Sequence, residues 1–164
     1  MGPLHGIKVL EFSGIGPGPY CGMILADLGA EVIRLSRKDQ AGIDNKFDIH
    51  NRSKLSITAD LKNPDTTHEI LKLIESVDVV FEGFRPGVMD KLNLGSAFLR
   101  ALQPKLIYAA ISGFGKEGPL GGAPAYDPII QAQAGLTATQ GRNNEPAFFR
   151  TLICDKITAY TACQ

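Results

Sequence analysis

The sequence predicts an α/β fold with a largely parallel sheet. Three observations carry this. Short apolar runs alternate with stretches of helical period along most of the chain. A glycine-rich turn, Ser13-Gly14-Ile15-Gly16-Pro17-Gly18-Pro19, joins the first apolar run to the first helical stretch. Asn63-Pro64-Asp65 combines a capping Asn, Pro at the first helical position and an acid in the first turn, a strong helix start. Strands alternating with helices give βαβ units of Rossmann-like type, and the right-handed crossover rule then fixes most of the topology.

Ile7 to Phe12, IKVLEF, reads as the first strand. Tyr20 to Leu28 has Met23, Ile24 and Leu28 at helical spacing, with Gly29 as the stop. Glu31 to Leu35 is a second strand, Ser36 to Ser53 an irregular polar loop and Lys54 to Thr58 a third strand. After Asn63 a helix presents Ile70, Leu71, Leu73 and Ile74 on one face. Val77 to Glu82 is a buried strand, Ser96 to Leu102 a short helix and Leu106 to Ser112 a fifth strand. Gly113 to Pro124 is a glycine- and proline-rich loop, Asp127-Pro128 opens a helix to about Ala134, and Gly135 to Pro146 is a further loop. Asp155 is expected to cap a last helix. No internal repeat or low-complexity tract is visible.

A chain of 164 residues is about one domain and can bury a real core. Its 17 basic and 17 acidic side chains cancel, so general attraction to nucleic acid or an anionic membrane is not indicated. Any anion site must be local. Cys21, Cys154 and Cys163 lack metal-ligand spacing and read as reduced thiols of a cytoplasmic protein, with no metal cluster. No apolar run approaches the ~18 residues of a membrane span, and no secretory signal is expected.

The first strand-turn-helix invites a dinucleotide-binding reading, but G-x-G-x-x-G is not met. From Gly14 and Gly16 the third position falls on Pro19; from Gly16 and Gly18 it falls on Cys21. The acid expected after the second strand for NAD is replaced by Arg37-Lys38. Such a cluster suits a phosphorylated ribose, as in NADP or coenzyme A, or is simply a solvated loop. Arg85 and Lys91 also follow a strand end, where open α/β sheets bind ligands. Arg37, Lys38, Arg85 and Lys91 are therefore candidates to meet one anion.

The run SGIGPGPYCGMILADLGAEVIRL resembles the opening of the family III CoA-transferases and of the related α-methylacyl-CoA racemases. His50 to Ser56, Ala59-Asp60-Leu61-Lys62, Glu82 to Lys91, Ser112-Gly113-Phe114-Gly115, Gly118-Pro119 and Tyr126-Asp127 agree in order. The resemblance covers essentially the whole chain. It implies that Arg37 lies near the adenosine phosphate of CoA, with Lys38 beside it. Ala59 and Leu61 would border the adenine. Gly83, Phe84 and Arg85 would follow the pantetheine and diphosphate, Lys91 a further phosphate, and Tyr126 would also contact the ligand. Asp155 matches the catalytic aspartate. The resemblance also implies an N-terminal part of a longer protein, with a second, smaller domain and an interlocked homodimer.

Two positions depart from the family pattern. Leu55 stands where many members have Arg, and Tyr126 stands where the racemases have a catalytic His. An ordinary phenol is protonated at neutral pH and is a poor base for an α-proton. CoA transfer between an acyl-CoA and an acceptor carboxylic acid is thus expected over racemisation, with CoA as substrate and no permanent cofactor. A catalytically silent CoA-binding fragment is the reading of another class, and an NADP oxidoreductase is opposed by the broken fingerprint. Cys154 is a rival nucleophile or a small buried residue. Asp127 reads as a cap before Pro128 rather than a catalytic acid.

Overall fold

The computed structural model describes residues 2–12, 14–37 and 48–164. Five strands form one parallel sheet: β1 (Lys8–Phe12), β2 (Glu31–Arg37), β3 (Lys54–Ala59), β4 (Val79–Glu82) and β5 (Ile107–Ala110). Their order is β3-β2-β1-β4-β5. The chain therefore winds one way from β1 through β3, then returns to β1's other side and winds the opposite way. A crevice opens at the carboxyl ends of β1 and β4, where the winding reverses.

Alternation along β1 sorts the core. Leu10 and Phe12 face one side, with Leu35, Val80, Ile70, Ile74 and Leu99. Val9 faces the other, with Val32, Phe81 and Ala26. Helix α1 (Pro17–Asp27) covers the second face, while α2 (Pro64–Ile74), α3 (Val88–Lys91) and α4 (Ser96–Leu102) supply the first. As expected, Asn63 caps α2, its side-chain oxygen accepting from the Asp65 N–H at 3.0 Å. Helices α5 (Asp127–Gln133), α6 (Leu136–Gln140) and α7 (Ile153–Cys163) complete the chain. Helix α7 packs on α1, with the free thiols of Cys21 and Cys163 at 3.3 Å and the hydroxyls of Tyr20 and Tyr160 at 3.1 Å.

Several boundaries differ from expectation. Helix α1 begins at Pro17 rather than Tyr20, because a fixed proline φ suits the first helical position. Strand β2 runs on to Arg37, and among the described residues of the expected loop a 3-10 turn spans Ile49–Asn51. Helix α6 lies in a segment read as a loop, and α3 in one for which the sequence reading names no element. Each starts directly after a glycine in the left-handed region, Gly87 and Gly135.

One buried ion pair was not foreseen. Lys54 Nζ donates to Glu11 Oε2 at 2.6 Å and to the Pro19 carbonyl at 2.8 Å, with both side chains essentially inaccessible. It lies beneath α1 at Gly22, where a Cβ would stand 2.0 Å from Glu11 Oε2. Only glycine leaves room there. Burial raises the Glu11 carboxyl against the opposing pull of Lys54, and burial lowers the Lys54 ammonium against the pull of Glu11.

Candidate active site

A cleft of about 430 Å³ occupies the switch point of the sheet. Its walls come from segments remote in sequence: Ile15-Gly16-Pro17 after β1, Gly83 to Pro86 after β4, Ile111 to Gly113 after β5, Ala123 to Pro128 entering α5, Leu152 just before α7, and Cys154, Asp155 and Thr158 within it. Glu82 shapes the β4 loop from below. Its carboxylate accepts from the Phe84 N–H at 2.7 Å and from the Tyr108 hydroxyl at 3.4 Å. Burial holds the Glu82 carboxyl above the usual range.

Asp155 projects from the first turn of α7. It is not the cap of that helix; Leu152 takes the capping position and offers no side-chain bond. The apolar run before Asp155 is the helix's own beginning. The carboxylate lies against Gly16, whose φ is +74°. A Cβ there would stand 2.9 Å from Asp155 Oδ2 and 3.2 Å from its Cγ. The glycine loop thus approaches the carboxylate by backbone alone, which a side chain would prevent. Burial raises the Asp155 carboxyl above the ordinary aspartate range, and the charge of Asp127 adds to it. Cys154, buried beside it, has its thiol pushed up by burial and then by Asp127 and Asp155. That disfavours the thiolate a nucleophilic cysteine needs.

Asp127 is likewise not the cap of its own helix, whose capping position is held by Tyr126. Its side chain turns inward to the start of α7, where Oδ2 accepts from the Asp155 N–H at 2.9 Å.

The cleft gathers Gly83, Phe84, Arg85, Tyr126 and Asp155 of the residues singled out in the sequence. Phe84 packs edge-on against Phe12 with ring centres 6.4 Å apart, and Tyr126 is exposed at the mouth. The remaining candidates lie elsewhere. Arg37 and Ala59 pair in register at the ends of β2 and β3, on the flank of the same sheet edge. The Ala59 and Leu61 side chains belong to the core, and Lys91 sits exposed at the end of α3. Lys38 lies outside the described residues. Of the described basic candidates Arg37, Arg85 and Lys91, Arg85 alone lines the cleft. Sequence reasoning missed Gly16 as a neighbour of Asp155 and gave Asp127 the wrong helix. Among the described residues no group of His, Cys, Asp and Glu is placed to hold a metal ion, and no helix is long and apolar enough to cross a membrane.

An open parallel sheet with a cleft at its switch point defines an α/β domain of the kind that binds ligands there. The chain belongs to CoA-transferase family III, whose family model matches residues 4–164. It is 40% identical to an acyl-CoA transferase of Fusarium pseudograminearum over 88% of this chain and 36% of that protein. It is also 40% identical to the α-methylacyl-CoA racemase of Homo sapiens, over 87% of this chain and 36% of that protein. Among solved structures, the Rv3272 protein of Mycobacterium tuberculosis superposes with a TM-score of 0.90 at 35% identity, covering 99% of this chain and 49% of that one. The chain spans 36 to 42% of the length of these and similar curated relatives. The family holds enzymes of two kinds, CoA-transferases and racemases of acyl-CoA thioesters.

Proposed function

We propose that the complete protein transfers CoA from an acyl-CoA to an acceptor carboxylic acid, with Asp155 as covalent carrier. The observation that carries this is the Asp155 carboxylate, half-buried in the cleft wall against the bare backbone of Gly16. A partly desolvated carboxylate is a better nucleophile than one fully hydrated in water, and burial, with Asp127 beside it, holds the Asp155 carboxyl above its ordinary range.

Asp155 attacks the thioester carbonyl carbon. The carbon–sulfur bond breaks, and CoA leaves as thiolate from a mixed anhydride. The thiolate attacks the Asp155 acyl carbon and releases the donor acid as carboxylate, leaving an aspartyl-CoA thioester. The acceptor carboxylate attacks that thioester, giving a second anhydride and free thiolate. Attack of the thiolate on the acceptor's acyl carbon yields the new acyl-CoA and frees Asp155. Each addition places negative charge on a carbonyl oxygen, and backbone N–H groups of the glycine loop are suited to receive it. The acyl-CoA follows Gly83, Phe84 and Arg85 into the cleft in this reading. Arg37, Lys38, Ala59 and Leu61 serve the adenosine end, Lys91 a further phosphate and Tyr126 the mouth.

Ile15 and Leu152, 75% and 53% exposed at the rim, support further protein covering the cleft, as an interlocked homodimer would. The free thiols suit a cytoplasmic setting.

Incubating the complete protein with an acyl-CoA and trapping with hydroxylamine tests the assignment. A hydroxamate on Asp155 by mass spectrometry is expected, and Asp155→Ala is expected to abolish transfer while retaining CoA binding. Label on Cys154 would move the role to the thiol. Likeness to the human racemase supports a second reading. Exchange of the substrate's α-proton with deuterated solvent, without transfer to an acid, would establish it in place of the first.

A further inference from the structure

The start of α7 is held by two buried polar side chains of α5. The first amides of a helix have no acceptor within it. At α7 the Asp155 N–H finds one in Asp127 Oδ2 at 2.9 Å. The other oxygen of that carboxylate accepts from Gln131 Nε2. Gln131 Oε1 accepts from the Phe149 N–H at 2.9 Å, and its Nε2 also reaches the Thr151 carbonyl at 3.4 Å. Asp127 and Gln131 stand four residues apart on one face of α5 and are 3% and 1% exposed. Burying a carboxylate and an amide is costly unless their bonds are used. Here the bonds grip the main chain at 149, 151 and 155, before and within the turn that bears the cleft carboxylate.

We infer that Asp127, braced by Gln131, is a positioning residue that fixes the start of α7 and so holds the Asp155 carboxylate against Gly16. The inference rests on the proposed role of Asp155 as acyl carrier. It explains why Asp127 does not cap its own helix and why no capping side chain is needed at Leu152. Misplacing a reacting group by about 1 Å costs on the order of 10²-fold in rate, so a fixture on the main chain matters as much as the carboxylate it serves. Asp127 also faces Asp155 as a charge. The other titratable groups lining the cleft are Cys154 on α7, Tyr126 beside Asp127, and Arg85 from the β4 loop.

The test uses the complete protein and three variants: Asp127→Asn, Gln131→Glu and the double Asp127→Asn/Gln131→Glu. In the double variant the amide oxygen introduced at position 127 accepts from the Asp155 N–H. The NH₂ of that same amide donates to the carboxylate introduced at position 131, which still accepts from the Phe149 N–H. The described main-chain bonds are kept except the 3.4 Å contact to Thr151, and the charge moves away from Asp155. Amide exchange and the Asp155 side-chain titration are followed by NMR with labelled aspartate, without substrate. Transfer kinetics are measured in parallel.

In the wild type the Asp155 amide is expected to exchange more slowly than that of Cys154. Asp127→Asn is expected to lower the Asp155 titration midpoint and to reduce kcat roughly 10²-fold with little change in KM. The double variant is expected to restore slow exchange and most of kcat while keeping the lowered midpoint. Fast exchange at Asp155 in the wild type overturns the inference even if no variant folds. So does an Asp127→Asn protein with unchanged exchange and midpoint. If Asp155→Ala retains transfer, the acyl-carrier role fails, while the exchange measurement still reports the fixture.

Discussion

Replacing Lys54 by Met should break a costly buried ion pair. Lys54 Nζ makes two bonds, 2.6 Å to Glu11 Oε2 and 2.8 Å to the Pro19 carbonyl, at a site closed to water. Hydrogen bonds to charged groups contribute roughly 1.5–3 kcal/mol each, which places the loss near the ~3–5 kcal/mol measured when a buried pair loses one member. Glu11 would lose its hydrogen-bonded cation. Its Oε1 already lacks a hydrogen-bond partner among the described residues. Burial raises the Glu11 carboxyl, and Lys54 is the chief influence lowering it, so the variant's carboxyl rises further. A group raised on folding stabilises below its unfolded pKa and loses that contribution as pH climbs through the folded value. The penalty should therefore be smallest in acid and grow toward neutral pH, with a limiting slope of about 1.4 kcal/mol per unit. Urea unfolding of Lys54→Met across that range measures it, and Glu11→Leu/Lys54→Met should recover much of the loss. A loss under ~1 kcal/mol at neutral pH, or one that does not vary with pH, would refute the reasoning.

Three further outcomes are expected. Gly22→Ala should lower the melting temperature sharply, since its Cβ would stand 2.0 Å from Glu11 Oε2; an unchanged melt would mean that α1 can lift off β1 freely. Asn63→Ala should cost about 1 kcal/mol in urea unfolding by removing the α2 cap, and no change would show the Asp65 amide content with water. Hydroxamate trapping at Asp155 should fall as pH drops, with a midpoint above that of an ordinary aspartate, because burial and then Asp127 raise its carboxyl; a midpoint at or below the ordinary range would contradict that environment.

The fold was largely legible in the sequence because its signals are local. IKVLEF is a short, mostly apolar run, and Asn63-Pro64-Asp65 states a helix start in three residues. Helices α3 and α6 escaped notice because each is too short for a periodic pattern and follows a glycine, which reads as a loop. Glu11 did leave a trace, a charge inside an apolar strand, as did Gly22 inside a helix; only together do they point to a buried pair. The site was legible in its parts. Gly83, Phe84, Arg85, Tyr126 and Asp155 share a cleft, but Gly16 meets Asp155 from the other end of the chain, and no spacing encodes that approach. Asp127 next to Pro128 looked like a local cap, since the acceptor's true donor, the Asp155 N–H, is set by tertiary packing.

The reversal of winding at β1 also bears on the order in which the molecule assembles. Val9 pairs with Val32, 23 residues on, and with Val79, 70 residues on. Closing the longer loop costs about 1 kcal/mol more in chain entropy, so the β1–β2 half has a head start and the β1–β4 seam zips later. That seam is the floor of the cleft. The crevice is then among the last features to take shape, and a chain stalled before β4 docks has a sheet edge bare along β1 and no cleft.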